Sequence, residues 1–90
     1  CYDTAVKESK DWFVQDCSAA TENMLIAAAS LDLGAVWLGV YPRNERVEGL
    51  KKLLNLPENL LPFSLIPIGY PAETKSKSRK FKPEKVLYLE

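Results

Sequence analysis

Ninety residues that are 47% hydrophobic and 27% charged, with aromatics spread along the chain, exclude a disordered or low-complexity polymer and allow a modest core. Twelve Lys/Arg balance twelve Asp/Glu, and the absence of histidine removes the commonest metal ligand and the usual general base. Residues 1–74 hold six cations against ten anions while residues 75–90 hold six against two, so the acidic body argues against nucleic acid and the basic tail suits a small anionic ligand.

The chain opens on Cys1-Tyr2-Asp3 without a capping signal. Cys1 and Cys17 have no metal-site or redox-pair spacing and read as free, buried thiols. From about Trp12 to Leu33, apolar or small residues recur at Phe13, Cys17, Ala20, Met24, Ala28 and Leu31, one face of a helix. Ala19, Ala20, Ala27, Ala28, Ala29 and Ser30 keep its profile thin, which predicts a central, buried helix, and Gly34 is its expected left-handed cap. Polar residues on it (Gln15, Asp16, Glu22, Asn23, with Trp12 at its start) read as margins and packing groups, since no paired carboxylate supports acid-base chemistry. Met24 to Val40 is the most apolar stretch, yet Ser30, Asp32 and Gly34 interrupt it before the ~20 apolar residues of a spanning helix. A soluble, cytoplasmic protein without a membrane partner is the expectation.

Ala35-Val36-Trp37-Leu38-Gly39-Val40, β-branched and aromatic between glycines, suits a buried strand ended by Tyr41-Pro42. Val47, Leu50, Leu53 and Leu54 give Asn44–Leu54 a helical stripe, Glu48 stands four before Lys52, and Asn55 with Pro57 stops the run. Phe63 to Tyr70 reads as another strand, in which Pro67 requires an edge, a bulge or a margin. Residues 74–82 have no periodicity and read as a loop, followed by the apolar Val86-Leu87-Tyr88-Leu89.

Gln15 to Pro42, Ile66 to Glu73 and the basic tail together resemble the C-terminal half of the FMN-dependent nitroreductase family. The resemblance spans nearly the whole chain, is strongest over residues 12–42 and 65–73, and places residue 1 at the end of a core strand. It implies an α+β fold, with a mixed sheet packed on a buried central helix, of which residues 1–90 are the C-terminal part of one domain. It also implies a homodimer with FMN at the interface. The segment Trp37-Leu38-Gly39 would line the isoalloxazine, with the Gly39 N–H meeting flavin N5 and Leu38 as second choice. Lys77-Ser78-Arg79 stands where the family holds the FMN phosphate, Arg79 first, which agrees with the grip of guanidinium and ammonium on a phosphate dianion. The implied reaction passes hydride from NAD(P)H through the flavin to a nitroaromatic, quinone or similar small-molecule acceptor. The rival reading is a flavin-free structural or dimerisation domain that keeps the fold, with its glycines as cap and strand terminator and its tail as a solvated loop.

Overall fold

The computed structural model describes residues 1–89. The small-residue helix forms as α1, Phe13–Ser30, with Asp16 in the first turn, where a negative charge favours the helix dipole. Its end is set by Asp32 (φ 57°) and not by Gly34, since no glycine here has positive φ. The Leu33 N–H reaches back to the Ala28 carbonyl (2.9 Å) and the Asp32 N–H to Ala29 (3.1 Å), the double bond of a Schellman cap. Asp tolerates the left-handed region better than most residues, which frees Gly34 to begin a strand. α2, Asn44–Leu53, ends in the same way at Asn55 (φ 50°), with the Leu56 N–H bonded to the Lys51 carbonyl. Glu48 and Lys52 make no ion pair; Lys51 reaches across the cap to Glu58 instead, 3.6 Å to the carboxylate and 3.1 Å to the carbonyl.

The inward stripe of α1 runs through Phe13, Cys17, Thr21, Leu25 and Ala28, rotated from the expected Ala20 and Met24, both of which are exposed. Thr21 can lie at its centre because its hydroxyl is satisfied. It donates to the Cys17 carbonyl one turn back (2.7 Å) and meets Ser64 Oγ at 2.9 Å. Only 2% of Thr21 is exposed, so the one polar residue of the stripe is also its deepest.

Six two-residue strands make three antiparallel pairs. β1 (Tyr2–Asp3) pairs with β4 (Leu60–Leu61), β2 (Gly34–Ala35) with β6 (Ile68–Gly69), and β3 (Leu38–Gly39) with β5 (Ser64–Leu65). The last two pairs share one register, so residues 34–40 and 63–69 form a single ribbon with a gap where Val36 faces Pro67. In that register Pro67 falls on a hydrogen-bonded position and has no N–H to give. The expected buried strand is thus two short ladders, with Val36 and Leu38 exposed on it. At its far end the Val40 and Tyr41 N–H groups both donate to the Phe63 carbonyl (3.2 and 3.1 Å), two residues against one as in a β-bulge.

Aromatic rings join these parts. Tyr2 stacks on Phe13 at 4.4 Å, Phe13 meets Tyr41 edge-on at 5.1 Å, and Phe63 contacts both Tyr41 (6.3 Å) and Trp37 (6.1 Å). Among the described residues, Phe63, Val40, Val47, Ala28 and Pro62 are the buried apolar ones, whereas Cys17 is only half-buried and Cys1 is exposed at the chain start, so the thiols are free as expected but not buried. The remaining apolar surface of α1, including Ile26 and Leu31, is open. Residues 74–82 are irregular and exposed, a loop as expected, and after a 3-10 turn at Pro83–Lys85 the apolar residues 86–89 are exposed too.

The accessible surface is 7928 Å², against roughly 5,300 Å² for a closed monomer of this mass. The radius of gyration is 16.7 Å, where a compact chain of this length has about 12 Å. Residues 1–90 expressed alone should therefore bind the hydrophobic dye ANS and melt without a cooperative transition, as followed by circular dichroism. A sharp two-state melt without dye binding would contradict this.

Thr21→Val keeps the shape but leaves Ser64 Oγ without its partner, so it should destabilise the full-length protein by about 1–3 kcal/mol in urea unfolding. Ser64→Ala added to it should recover part of that loss.

At the β1–β4 pair, Asp3 Oδ1 accepts from Asn59 Nδ2 (2.8 Å) and from the Ala5 N–H (3.0 Å). Both favour the carboxylate, the Asn59 amide more, and hold the Asp3 pKa below its ordinary 3.8. The stability this contributes is fully present above the unfolded value and is lost as pH falls through the lower native one. In Asn59→Ala, NMR titration of the Asp3 carboxyl should find the pKa moved up toward 3.8.

Candidate functional site

Bonded and non-bonded residue pairs alternate along an antiparallel ladder. Because Val40 is bonded to Phe63, Leu38 and Gly34 also occupy bonded positions, and Gly39 falls between. Leu38 thus spends its N–H on the ribbon, whereas the Gly39 N–H and C=O leave it at the outer edge. The Gly39 carbonyl is indeed bonded there, accepting from Arg46 Nη1 at 2.8 Å. Its N–H faces the same open side.

The ribbon and α2 enclose a cleft of about 400 Å³ lined by Leu38, Gly39, Val40, Arg46, Gly49 and Leu65. Leu38 and Leu65 are a directly opposed pair, 44% and 43% exposed, and form a flat apolar wall beside the Gly39 edge. A Cβ at Gly39 would meet nothing within 4 Å. The neighbouring Trp37 is half-buried and held against Phe63. A second hollow, about 450 Å³, opens at the ribbon gap between Val36 and Pro67 and carries no charged residue.

Trp37, Leu38 and Gly39 are thus brought together on one edge. Lys77 and Arg79 are exposed in the irregular tail, and among the described residues no hydrogen bond or ion pair ties either to that edge. In the tail, Lys75 faces Glu73 at 3.4 Å. The described residues contain no cluster of three or more potential metal ligands, and no helix among them is long and apolar enough to cross a membrane.

Arg46 and Gly49 escaped the sequence reading. Their helix was visible, but its approach to the Gly39 edge depends on the bulge at Val40-Tyr41 and the turn after it, which no periodicity marks. The available signal was Gly49 itself, a poor helix former inside the α2 pattern.

The family model described as "Nitroreductase family" matches residues 3–70. This chain belongs to that family. It is 49% identical over 86 residues to a Methanothermobacter thermautotrophicus protein described as a candidate NADH dehydrogenase/NAD(P)H nitroreductase, covering 96% of this chain and 45% of that one. A solved Bacteroides thetaiotaomicron structure of the same description superposes with a TM-score of 0.84 at 45% identity, over 96% of this chain and 49% of the other. An FMN-dependent nitroreductase from Clostridium difficile gives 0.80 at 25% identity, over 93% and 53%. The chain therefore spans about half the length of the relatives it matches, and its α+β architecture is that of the nitroreductase fold. The nitroreductase match includes Trp37, Leu38 and Gly39 and stops at Tyr70, short of Lys77 and Arg79.

Proposed function

We propose that the protein to which these residues belong is a cytoplasmic, homodimeric, FMN-dependent oxidoreductase that takes hydride from NAD(P)H and delivers it to a nitroaromatic, quinone or similar small acceptor. The observation that carries this is the Gly39 edge, where an outward main-chain N–H, bare of side chain, stands beside the exposed Leu38–Leu65 wall. Support also comes from the family relatives, one of which is named FMN-dependent.

The residues present suit a flavin. A planar ring requires a flat apolar surface, a donor at one ring atom and no carboxylate beside it, and Leu38 with Gly39 meets all three conditions. FMN, when bound, supplies the hydride chemistry. The Gly39 N–H would serve as the donor to the ring and its lack of a Cβ would allow a close approach, while Arg46 fixes the strand end by holding the Gly39 carbonyl. Trp37, braced by Phe63, stiffens the strand. Lys77 and Arg79 would hold the phosphate and a partner subunit would complete the pocket.

The open apolar surface of α1 favours a second reading, a flavin-free interaction domain. The visible spectrum of the purified full-length protein separates the two. Flavin bands that bleach under anaerobic NADPH are expected, and a colourless protein that does not take up added FMN would remove the enzyme reading.

Gly39→Pro deletes the outward N–H without breaking a ladder bond and should lower kcat/KM at least about tenfold. Arg79→Ala should weaken FMN binding, by about tenfold or more in a titration of the apoprotein, with little change in thermal stability. Unchanged FMN affinity would strike Arg79 from the site.

A further inference from the structure

The fold brings together two cysteines that their spacing in the sequence does not mark as a pair. Cys1 and Cys17 both line each of two small hollows between β1 and α1, of about 150 and 80 Å³. Residues that border two adjoining hollows form the wall between them, so the two cysteines are neighbours in space. The smaller hollow holds no more than a few water molecules. Cys17 is also pinned on both sides: Phe13, one turn before it on α1, stacks on Tyr2 beside Cys1, and Thr21, one turn after it, is bonded to Ser64.

Two other uses of these thiols fail on chemistry. Among the described residues no Lys or Arg lines either hollow, so the cation that activates a nucleophilic thiolate is missing. No cluster of three or more potential metal ligands forms among them either. What remains is the pair itself. We propose that Cys1 and Cys17 are a reversible oxidation site, a dithiol that closes to a disulfide and ties the start of β1 to α1. The oxidant is a peroxide. One thiolate attacks the O–O bond to give a sulfenic acid and one water, and the second thiol attacks the sulfenic sulfur, forming the S–S bond and releasing the second water. Two thiols thus lose two electrons and two protons, and a small-molecule thiol reverses the step by exchange. In a reducing compartment a disulfide of this kind is transient and responds to oxidant load. Once closed, it makes a loop of the segment that carries the 3-10 turn Lys7–Ser9 and the exposed Trp12, which restricts the unfolded chain. The inference stands apart from the flavin reading, since neither cysteine lines the cleft at the Gly39 edge.

The test uses the full-length protein, reduced and then treated with hydrogen peroxide, with free thiols blocked by iodoacetamide before digestion. Lys7 and Lys10 lie between the cysteines, so trypsin releases them on separate peptides unless they are joined. Mass spectrometry should find most of Cys17 in a peptide linked to that of Cys1, two hydrogens lighter than the sum, and dithiothreitol should separate the two. The oxidised protein should melt higher than the reduced one by about 5 °C or more, and Cys17→Ser should lose both the linked peptide and that difference. Should Cys17→Ser not fold, Cys1→Ser takes its place in the same comparison. Unlinked Cys1 and Cys17 peptides after peroxide, whether intact or carried on to sulfinic acid, would overturn the proposal, as would a melting difference that persists in the serine variant.

Discussion

The contact on which the other parts depend is the hydroxyl of Thr21 between the Cys17 carbonyl and Ser64 Oγ. It fixes the rotation of α1 through Ser64, because the bond to Cys17 lies within the helix and turns with it, whereas a helix turned to present Met24 would strip the Ser64 hydroxyl of its partner. Ser64 is paired directly with Gly39, so the same contact fixes the height of the ribbon on the helix and the position of the Gly39 edge. Apolar packing alone specifies this poorly. Small residues such as Cys17 and Ala28 on the stripe, and Ala20 beside it, offer few bulky side chains to fix one rotation.

From that anchor the direction of every main-chain group in the ribbon follows by alternation. The bond from Val40 to Phe63 sets the parity, which turns the Gly39 N–H outward and commits the Leu38 N–H to the ladder. It also places Pro67 where its missing N–H opens a gap. The bulge at Val40-Tyr41 then bends the chain, α2 returns, and Arg46 meets the Gly39 carbonyl. Each step is a hydrogen-bonding constraint and not a matter of hydrophobicity, which explains why a strand edge this exposed keeps a defined geometry.

The same distinction separates what was legible in the sequence from what was not. Both helices, the Pro67 interruption and the loop at residues 74–82 follow from local rules: apolar spacing, proline's missing donor and charge runs. The β1–β4 pair joins residues almost sixty apart and had no local mark. The rotation of α1 was misjudged because Thr21 counted as polar, while its burial depends on Ser64, forty-three residues away. Gly34 was assigned the cap because glycine is the commonest left-handed residue, but Asp32 comes first in the chain and accepts that conformation. Of the candidate site, Trp37, Leu38 and Gly39 were legible through the family pattern, whereas Arg46 and Gly49 join them only by the fold-back of α2.

The large surface of these residues bears on how such a site operates. The flavin edge proposed above would have to be apolar and dry when occupied, yet here Leu38 and Leu65 are each more than two-fifths exposed and the outer side of α1 is open. The relatives are about twice as long, so their additional residues have the apolar surface of α1 and the ribbon available to cover. Covering α1 and drying the Gly39 edge would then be one event and not two, since Thr21 and Ser64 tie the helix to the ribbon. Lower dielectric at that edge would strengthen the N–H of Gly39 as a donor and the bond from Arg46 to the Gly39 carbonyl together. Binding strength at the site would therefore track assembly of the domain, and a substitution on the outer side of α1, such as at Ile26, would reach the site through packing although it touches no ligand.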